Sequence, residues 1–238
     1  MTGAGAIDAV GIVVPVHDEA ALLPACLASL DAALPPGLRR VAVIALDACT
    51  DASAEIARRW ATGRIDRRYL LLDARNVGQA RTAGMARALA ELADIPPARL
   101  WLATTDADTL VPSTWLADQL ALAARGARAV AGTIRVANWE GHPAGIAARF
   151  ADHYAPAGSG DHHPHIHGAN LGVRADAYLA VGGFAPLPTG EDHALWNALQ
   201  AAAQPCVATR TIEVSTSARR HGRAPGGFAR FLRDLEGE

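Results

Sequence analysis

Four short apolar runs, each followed by a stretch of helical pattern, dominate the first half of this 238-residue chain and leave few folds open to it. Val10 to Val16, Val41 to Leu46, Tyr69 to Leu72 and Leu100 to Thr104 are strand-like. Helices are expected from about Glu19 to Ala33, from Thr50 and Asp51 onward with Asp51 or Ser53 as cap, and from about Gly78 to Ala93. Pro112 stands where the first turn of a further helix tolerates it. Repeated β-α units of this spacing predict an α/β fold, a mostly parallel central sheet flanked by helices on both faces. Beyond about residue 128 the regularity breaks. A strand from Ala129 to Val136, a helix near 144–154, a short strand from Gly168 to Val173, and helices at 175–181 and 191–202 are expected, then a polar, Gly-rich stretch at 216–227 and an amphipathic piece from Phe228 to Leu235. No repeat or low-complexity linker divides the chain, so residues 1–238 read as one domain with halves at about 1–128 and 129–238.

Composition narrows the function. Half the residues are hydrophobic and 19% are charged, enough apolar content for a core. The net charge of −2 offers no basic excess for nucleic acid. All 22 basic residues are Arg and none is Lys, which excludes a Schiff-base lysine or a Walker-type phosphate lysine. Cys26, Cys49 and Cys206 form no C-x-x-C pair, neither a disulfide framework nor a zinc knuckle, and suit a reducing cytoplasm. There is no basic, apolar leader and no apolar stretch of about 18 residues, so neither a signal peptide nor a membrane span is expected.

The acids carry the chemistry. Asp106 and Asp108 follow directly on the apolar run at 100–103, and in open α/β sheets ligands bind outside the carboxyl ends of the strands. Two hard oxygen ligands there suit a divalent cation that holds a diphosphate. The first strand ends in Pro15-Val16-His17-Asp18-Glu19 rather than a G-x-G-x-x-G, which removes a dinucleotide-binding reading. Asp18 and Glu19 are either acceptors for base or ribose groups or acids of a helix's first turn. Asp47 again follows a strand. Arg81, in Asn76-Val77-Gly78-Gln79-Ala80-Arg81, is either a phosphate ligand or a solvated helix arginine. Glu191 and Asp192 open the helix that carries Trp196, a pattern that serves the helix dipole and also supplies a general base. The histidines of 162–167 lack the fixed geometry a zinc site needs. The first half reads as nucleotide-binding and the second as acceptor-binding.

Taken in order, these segments resemble glycosyltransferase family 2, nucleotide-sugar-dependent enzymes of the GT-A fold. The resemblance rests on 13–19, 46–51, 76–81, 106–108, Gly168 to Arg174, Gly182-Gly183-Phe184 and Gly190-Glu191-Asp192. It implies that Pro15, Val16, His17, Glu19 and Asp47 surround base and ribose. Arg81, Asp106 and Ala107 would meet the nucleotide, and Asp108, with His221 from a closing tail, would ligate Mg²⁺ or Mn²⁺. Asn170, Glu191 and Trp196 would face the acceptor, and Asp192 would deprotonate its hydroxyl in an inverting transfer. The implied partners are a nucleotide-diphospho-sugar donor and a hydroxyl acceptor, with no nucleic acid and no integral membrane association, in the cytoplasm. Two segments depart from the family pattern: Leu46-Asp47-Ala48-Cys49 keeps one acid of the usual pair, and the segment before Arg81 is short. The rivals are a nucleotidyltransferase, which normally places a Gly-rich cationic loop where this chain has acids, and a non-catalytic nucleotide-sugar-binding protein.

Overall fold

A computed structural model describes residues 6–35, 37–154, 161–220, 222 and 227–237. The chain runs β1 (Ala9–Val16), α1 (Leu23–Ala33), β2 (Arg39–Asp47), α2 (Ser53–Ala61), β3 (Arg67–Leu72), α3 (Val77–Glu91) and β4 (Leu100–Thr104). It continues with β5 (Thr109–Leu110), α4 (Trp115–Ala124), β6 (Ala129–Val136), α5 (Ile146–His153), β7 (Leu171–Arg174), α6 (Ala175–Ala180), α7 (Glu191–Ala201), β8 (Cys206–Thr216) and α8 (Phe228–Glu236).

β1 and β4 are buried at every position, which explains why they read as unbroken apolar runs: both sheet faces are covered. Alternation sorts their side chains. Val10, Ile12 and Val14 join Leu23, Leu27, Leu30 and Trp115 in a core under α1 and α4. Ala9 and Val13 join Met85, Ala88, Leu195 and Trp196 in a second core under α3 and α7.

The sheet order is β3-β2-β1-β4-β7-β6-β8-β5. It is mixed, which corrects the expectation of a mostly parallel sheet. β3, β2, β1 and β4 are parallel, but β7 lies antiparallel to both β4 and β6, β8 is parallel to β6, and β5 is antiparallel to β8. The cause is the connection at 137–170. A parallel neighbour needs a crossover that carries the chain back to the strands' starting edge. β6 ends and β7 begins at the same edge, so β7 runs back from it. The carboxyl ends of β1, β2, β4, β6 and β8 therefore share one edge with the amino end of β7.

Gly78, in the first turn of α3, is packed on backbone. A Cβ there would lie 2.2 Å from the Ala185 carbonyl oxygen and 2.7 Å from both N and O of Leu187. Helix propensity alone favours Ala over Gly by about 1 kcal/mol. Overpacking typically costs about 1–3 kcal/mol, and here the obstacle is main chain that cannot rotate away. Gly78→Ala is expected to destabilise the protein, with a lower midpoint in urea denaturation. A raised midpoint would mean that the 185–187 segment yields.

Candidate active site

A cavity of about 640 Å³ opens at the shared strand edge. Its rim is built from turns with strained backbone. Asp18, Ala48 and Arg75 follow β1, β2 and β3 closely, and all three have left-handed φ, at 51°, 51° and 48°. Such non-glycine conformations cost roughly 1–3 kcal/mol each and persist only where surroundings impose them. For Asp18 and Arg75 the surroundings include acids, and the Ala48 amide donates to the Leu72 carbonyl at 2.8 Å. The Asp18 carboxylate accepts the amides of Thr50 at 2.6 Å and Asp51 at 3.2 Å, and the Thr50 amide holds it below the usual carboxylate range. Asp47, 4% exposed, accepts the amides of Ala74, Arg75 and Asn76 at 2.7, 2.9 and 2.7 Å. The His17 Nδ1 lies 2.6 Å from the Asp47 carbonyl oxygen. Asp18 and Asp47 thus fix the turns, while Pro15, Val16, His17, Glu19 and Asp47 line the cavity.

Arg81 lies at its floor, 2% exposed. Its guanidinium donates to Asp106 Oδ1 at 2.5 Å, to Glu191, and through Nε to Thr104 Oγ1 at 3.3 Å. Burial pulls its pKa down, and Asp106 and Glu191 outweigh that and hold it above the ordinary value. Burial likewise raises the Glu191 carboxyl, against the pull of Arg81. Arg81 thereby joins the halves: α3, the turn after β4, and the start of α7. Solvated helix arginine is not its environment.

Ala107 is buried between the two acids of the turn. Asp106 keeps 39% of its side chain exposed, whereas Asp108 keeps 9% and meets Arg219 Nη2 at 2.7 Å. Arg219 also bonds Glu19, so one guanidinium spans acids from the turns after β1 and β4. Burial pushes the Asp108 carboxyl up to about 6 despite this partner. Among the described residues no three His, Cys, Asp or Glu side chains gather as a metal-binding group. His221 lies outside the described residues. The chemistry of the donor set still fits Mg²⁺ or Mn²⁺, because such ions at nucleotide sites take one or two carboxylates and fill the rest of their shell with phosphate oxygens and water. Asp106 and Asp108 offer two carboxylates of that kind at one strand mouth.

Across the cavity, Gly190, at a φ of 77°, starts α7 and turns Asp192 inward. The Asp192 carboxylate accepts the Gly168 amide at 2.7 Å and its neighbour His193's amide at 2.8 Å, one on each oxygen. It is oriented by main chain and retains lone pairs for a hydroxyl. Glu191 lines the cavity, but Asn170 and Trp196 do not. The Asn170 side chain accepts the Trp115 indole N–H at 2.9 Å and donates to the carbonyls of Thr133 and Ile212 at 2.9 and 3.0 Å. Trp196 is 5% exposed in the core under α7.

The remaining wall was not legible as a site. His163 is buried against the carbonyls of Ala131 and Thr209. The His165 ring stacks on Tyr154 with centroids 4.1 Å apart, and the Tyr154 hydroxyl lies 2.5 Å from His167 Nε2. The signal available in sequence was the alternation His163, His165, His167, which puts three rings on one face of an extended chain. Phe228 and Phe231 of α8 also face the cavity. Cys26 lies beneath the Asp pair, its Sγ 3.4 Å from the Asp106 carbonyl oxygen, and burial pushes its thiol far above the range of a reactive cysteine.

Comparison with known proteins agrees with this architecture. The fold is similar to that of GalNAc-T7 in complex with UDP, GalNAc and Mn²⁺, at a TM-score of 0.69 and 13% identity, covering 90% of this chain and 44% of that one. The mannosyltransferase PcManGT from Pyrobaculum calidifontis, in complex with GDP-Man and Mn²⁺, matches at 0.64 and 19% identity over 94% of this chain and 68% of its own. S. aureus TarS 1-349 in complex with UDP matches at 0.64 and 13% identity over 89% and 61%. The chain spans 37% of the longer TarS structure. These likenesses define an α/β fold of the glycosyltransferase GT-A kind with a mixed sheet. The model of glycosyl transferase family 2 matches residues 11–181, and the chain belongs to that family. No curated protein matches it.

Proposed function

We propose that this protein transfers a sugar from a nucleotide-diphospho-sugar to an acceptor hydroxyl, with inversion at the anomeric carbon. The observation that carries this reading is the confrontation of two acidic groups across one cavity: Asp106 and Asp108 at the mouth of β4, and Asp192 at the start of α7. Base and ribose would lie against Pro15 to Glu19 and the turn held by Asp47. Arg81 is spent on Asp106 and Glu191, so its part is to position Asp106 rather than to grip phosphate. Asp108, with Asp106 beside it, would hold Mg²⁺ or Mn²⁺ on the diphosphate, and His221 remains a proposed further ligand. When bound, the ion supplies positive charge against the charge that grows on the departing nucleotide diphosphate. Asp192 takes the acceptor proton as the acceptor oxygen attacks from the opposite face. The similar structures named above contain UDP, or GDP-Man with Mn²⁺, which supports a donor of this class. Among the described residues no helix is long and apolar enough to cross a membrane. The three free thiols suit the cytoplasm.

Asp108→Asn tests the cation assignment. A ligand that binds only the folded state raises its apparent stability. Wild-type protein is expected to show a Tm increase with UDP or GDP that depends on Mn²⁺, and the variant should lose that dependence while staying folded. An unchanged Mn²⁺ dependence would move the cation elsewhere.

A further inference from the structure

One long edge of the sheet is open. β3 ends the strand order, and among the described residues no strand lies beyond it, whereas the opposite edge strand, β5, has two residues. The Asp66 and Leu72 carbonyls accept the amides of Ala42 and Ala48, so alternation turns the main-chain groups of Arg67, Tyr69 and Leu71 away from β2. Proteins usually blunt such an edge with Pro, a bulge or charge, because it can template pairing with another chain. β3 has no Pro and pairs with β2 without a register shift. Where its free main-chain groups lie, its side chains are apolar and exposed: Tyr69, and Leu71 by 69%. Only the start of the strand is blunted, where Arg68 Nη1 donates to the Ile65 and Arg67 carbonyls at 3.1 and 2.8 Å.

We propose that this edge binds a second copy of the chain, β3 against β3, antiparallel and centred on Leu70. Identical edges related by a two-fold axis run antiparallel, and residues with outward main chain must oppose one another. That leaves few registers, and charge selects among them. Centred on Tyr69, the ladder sets Arg67 opposite Leu71 and Asp73 opposite Ile65. Centred on Leu71, it sets Arg67 opposite Arg75 and Tyr69 opposite Asp73. Centred on Leu70, Tyr69 faces Leu71 in both directions and Arg67 faces Asp73, all on one face of the joined sheet. Apolar and opposite-charge pairs stabilise antiparallel ladders and opposed like charges destabilise them, so the third register is the self-complementary one. Its charges are in place. Asp73 is 85% exposed and loosely paired, with Arg75 at 3.8 Å, while Arg67 is held at the strand's start by Asp31 at 2.7 Å and by the Trp60 ring. The two-fold axis sends the carboxyl ends of the paired strands in opposite directions, so the two cavities open on opposite sides and neither covers the other.

Sedimentation velocity on the full chain over a concentration series should show a reversible monomer–dimer equilibrium. Leu71→Lys is expected to raise the dimer's Kd by about 10-fold or more, because symmetry makes the substitution act twice. Asp73→Arg, which sets a like charge opposite Arg67, should weaken the dimer as well. Both positions are exposed, so the urea midpoint and the Mn²⁺-dependent nucleotide shift should not change in either variant. Register is read by mixing Tyr69→Cys protein with Leu71→Cys protein under oxidation, with wild type as the control for its own three thiols. Directly opposed residues of this kind lie about 5.5 Å apart at Cα, within disulfide reach, so the mixture should cross-link and each variant alone should not. Monomeric wild type at every concentration, a dimer that Leu71→Lys leaves unchanged, or cross-linking by the single variants in preference to the mixture would overturn the proposal. Binding of monomeric wild type to phosphatidylserine vesicles would overturn it too, by assigning the edge to a lipid surface. Loss of the nucleotide shift in wild type would instead overturn the glycosyltransferase reading, with pairing still judged by sedimentation.

Discussion

Asp192→Asn is expected to lower the transfer rate by about 10²-fold or more, the usual scale for a general base. The substitution is close to isosteric, and an amide oxygen still accepts one of the two main-chain N–H groups, from Gly168 or His193, that hold the carboxylate. What disappears is the negative charge and the site that takes the acceptor's proton. Nucleotide binding, which the proposed reading assigns to the opposite side of the cavity, should not change. Steady-state turnover measured beside the Mn²⁺-dependent thermal shift separates the two effects. Near-normal turnover would exclude Asp192 as base. Glu191 is poorly placed to replace it, being 4% exposed and paired with Arg81. The result would therefore favour a retaining mechanism, which needs no such base.

Arg81→Met should cause the largest loss of stability of any single change in the cavity, about 3–5 kcal/mol, the range for breaking a buried ion pair from one side. It strands Glu191 in a buried position and takes from Asp106 its 2.5 Å partner. The pH dependence has a definite sign. Burial already raises the Glu191 carboxyl above its ordinary 4.5, and losing Arg81 removes the opposing pull. A group with a raised folded-state pKa binds its proton more tightly in the folded protein, so its contribution is favourable at low pH and fades as pH rises through the folded pKa. The deficit relative to wild type should shrink as pH falls from 7 toward 4.5. Urea denaturation at several pH values measures this, and adding Glu191→Gln should recover part of the loss at pH 7. A deficit independent of pH would mean that lost packing, not stranded charge, sets the cost.

Much of the strand-edge wall of the cavity was legible because its acids follow strands whose two-sided burial shows as apolar runs. Position in sequence then gave position at the sheet edge for Asp47, Asp106 and Asp108. β8 was not legible. Its segment Thr209-Arg210-Thr211-Ile212-Glu213 is polar, and a register shift at Gly132/Thr133 in its partner β6 breaks the alternation that would mark a strand. The reversal at β7 was hidden because sequence spacing does not show whether a connection crosses the sheet or stays at one edge. Asn170 lies within a family-like segment but is spent on joining Trp115, Thr133 and Ile212. Trp196 was drawn toward the acceptor by its nearness to Asp192, whereas its helical position turns it into the core. The Arg219 bridge spans 200 residues, beyond any local pattern.

That bridge bears on the order in which ligands arrive. Arg219 is tethered to the chain, so Asp108 and Glu19 face a cationic partner at an effective concentration on the order of millimolar before anything binds. A lone divalent ion must compete with that tethered guanidinium for Asp108. A donor already chelated to its ion is in a different position, because its diphosphate gives the displaced guanidinium new oxygens to meet. The exchange then replaces one set of ion pairs with another and strands no charge. On the proposed reading, the resting protein thus discriminates against the bare ion and favours entry of ion and donor as one unit.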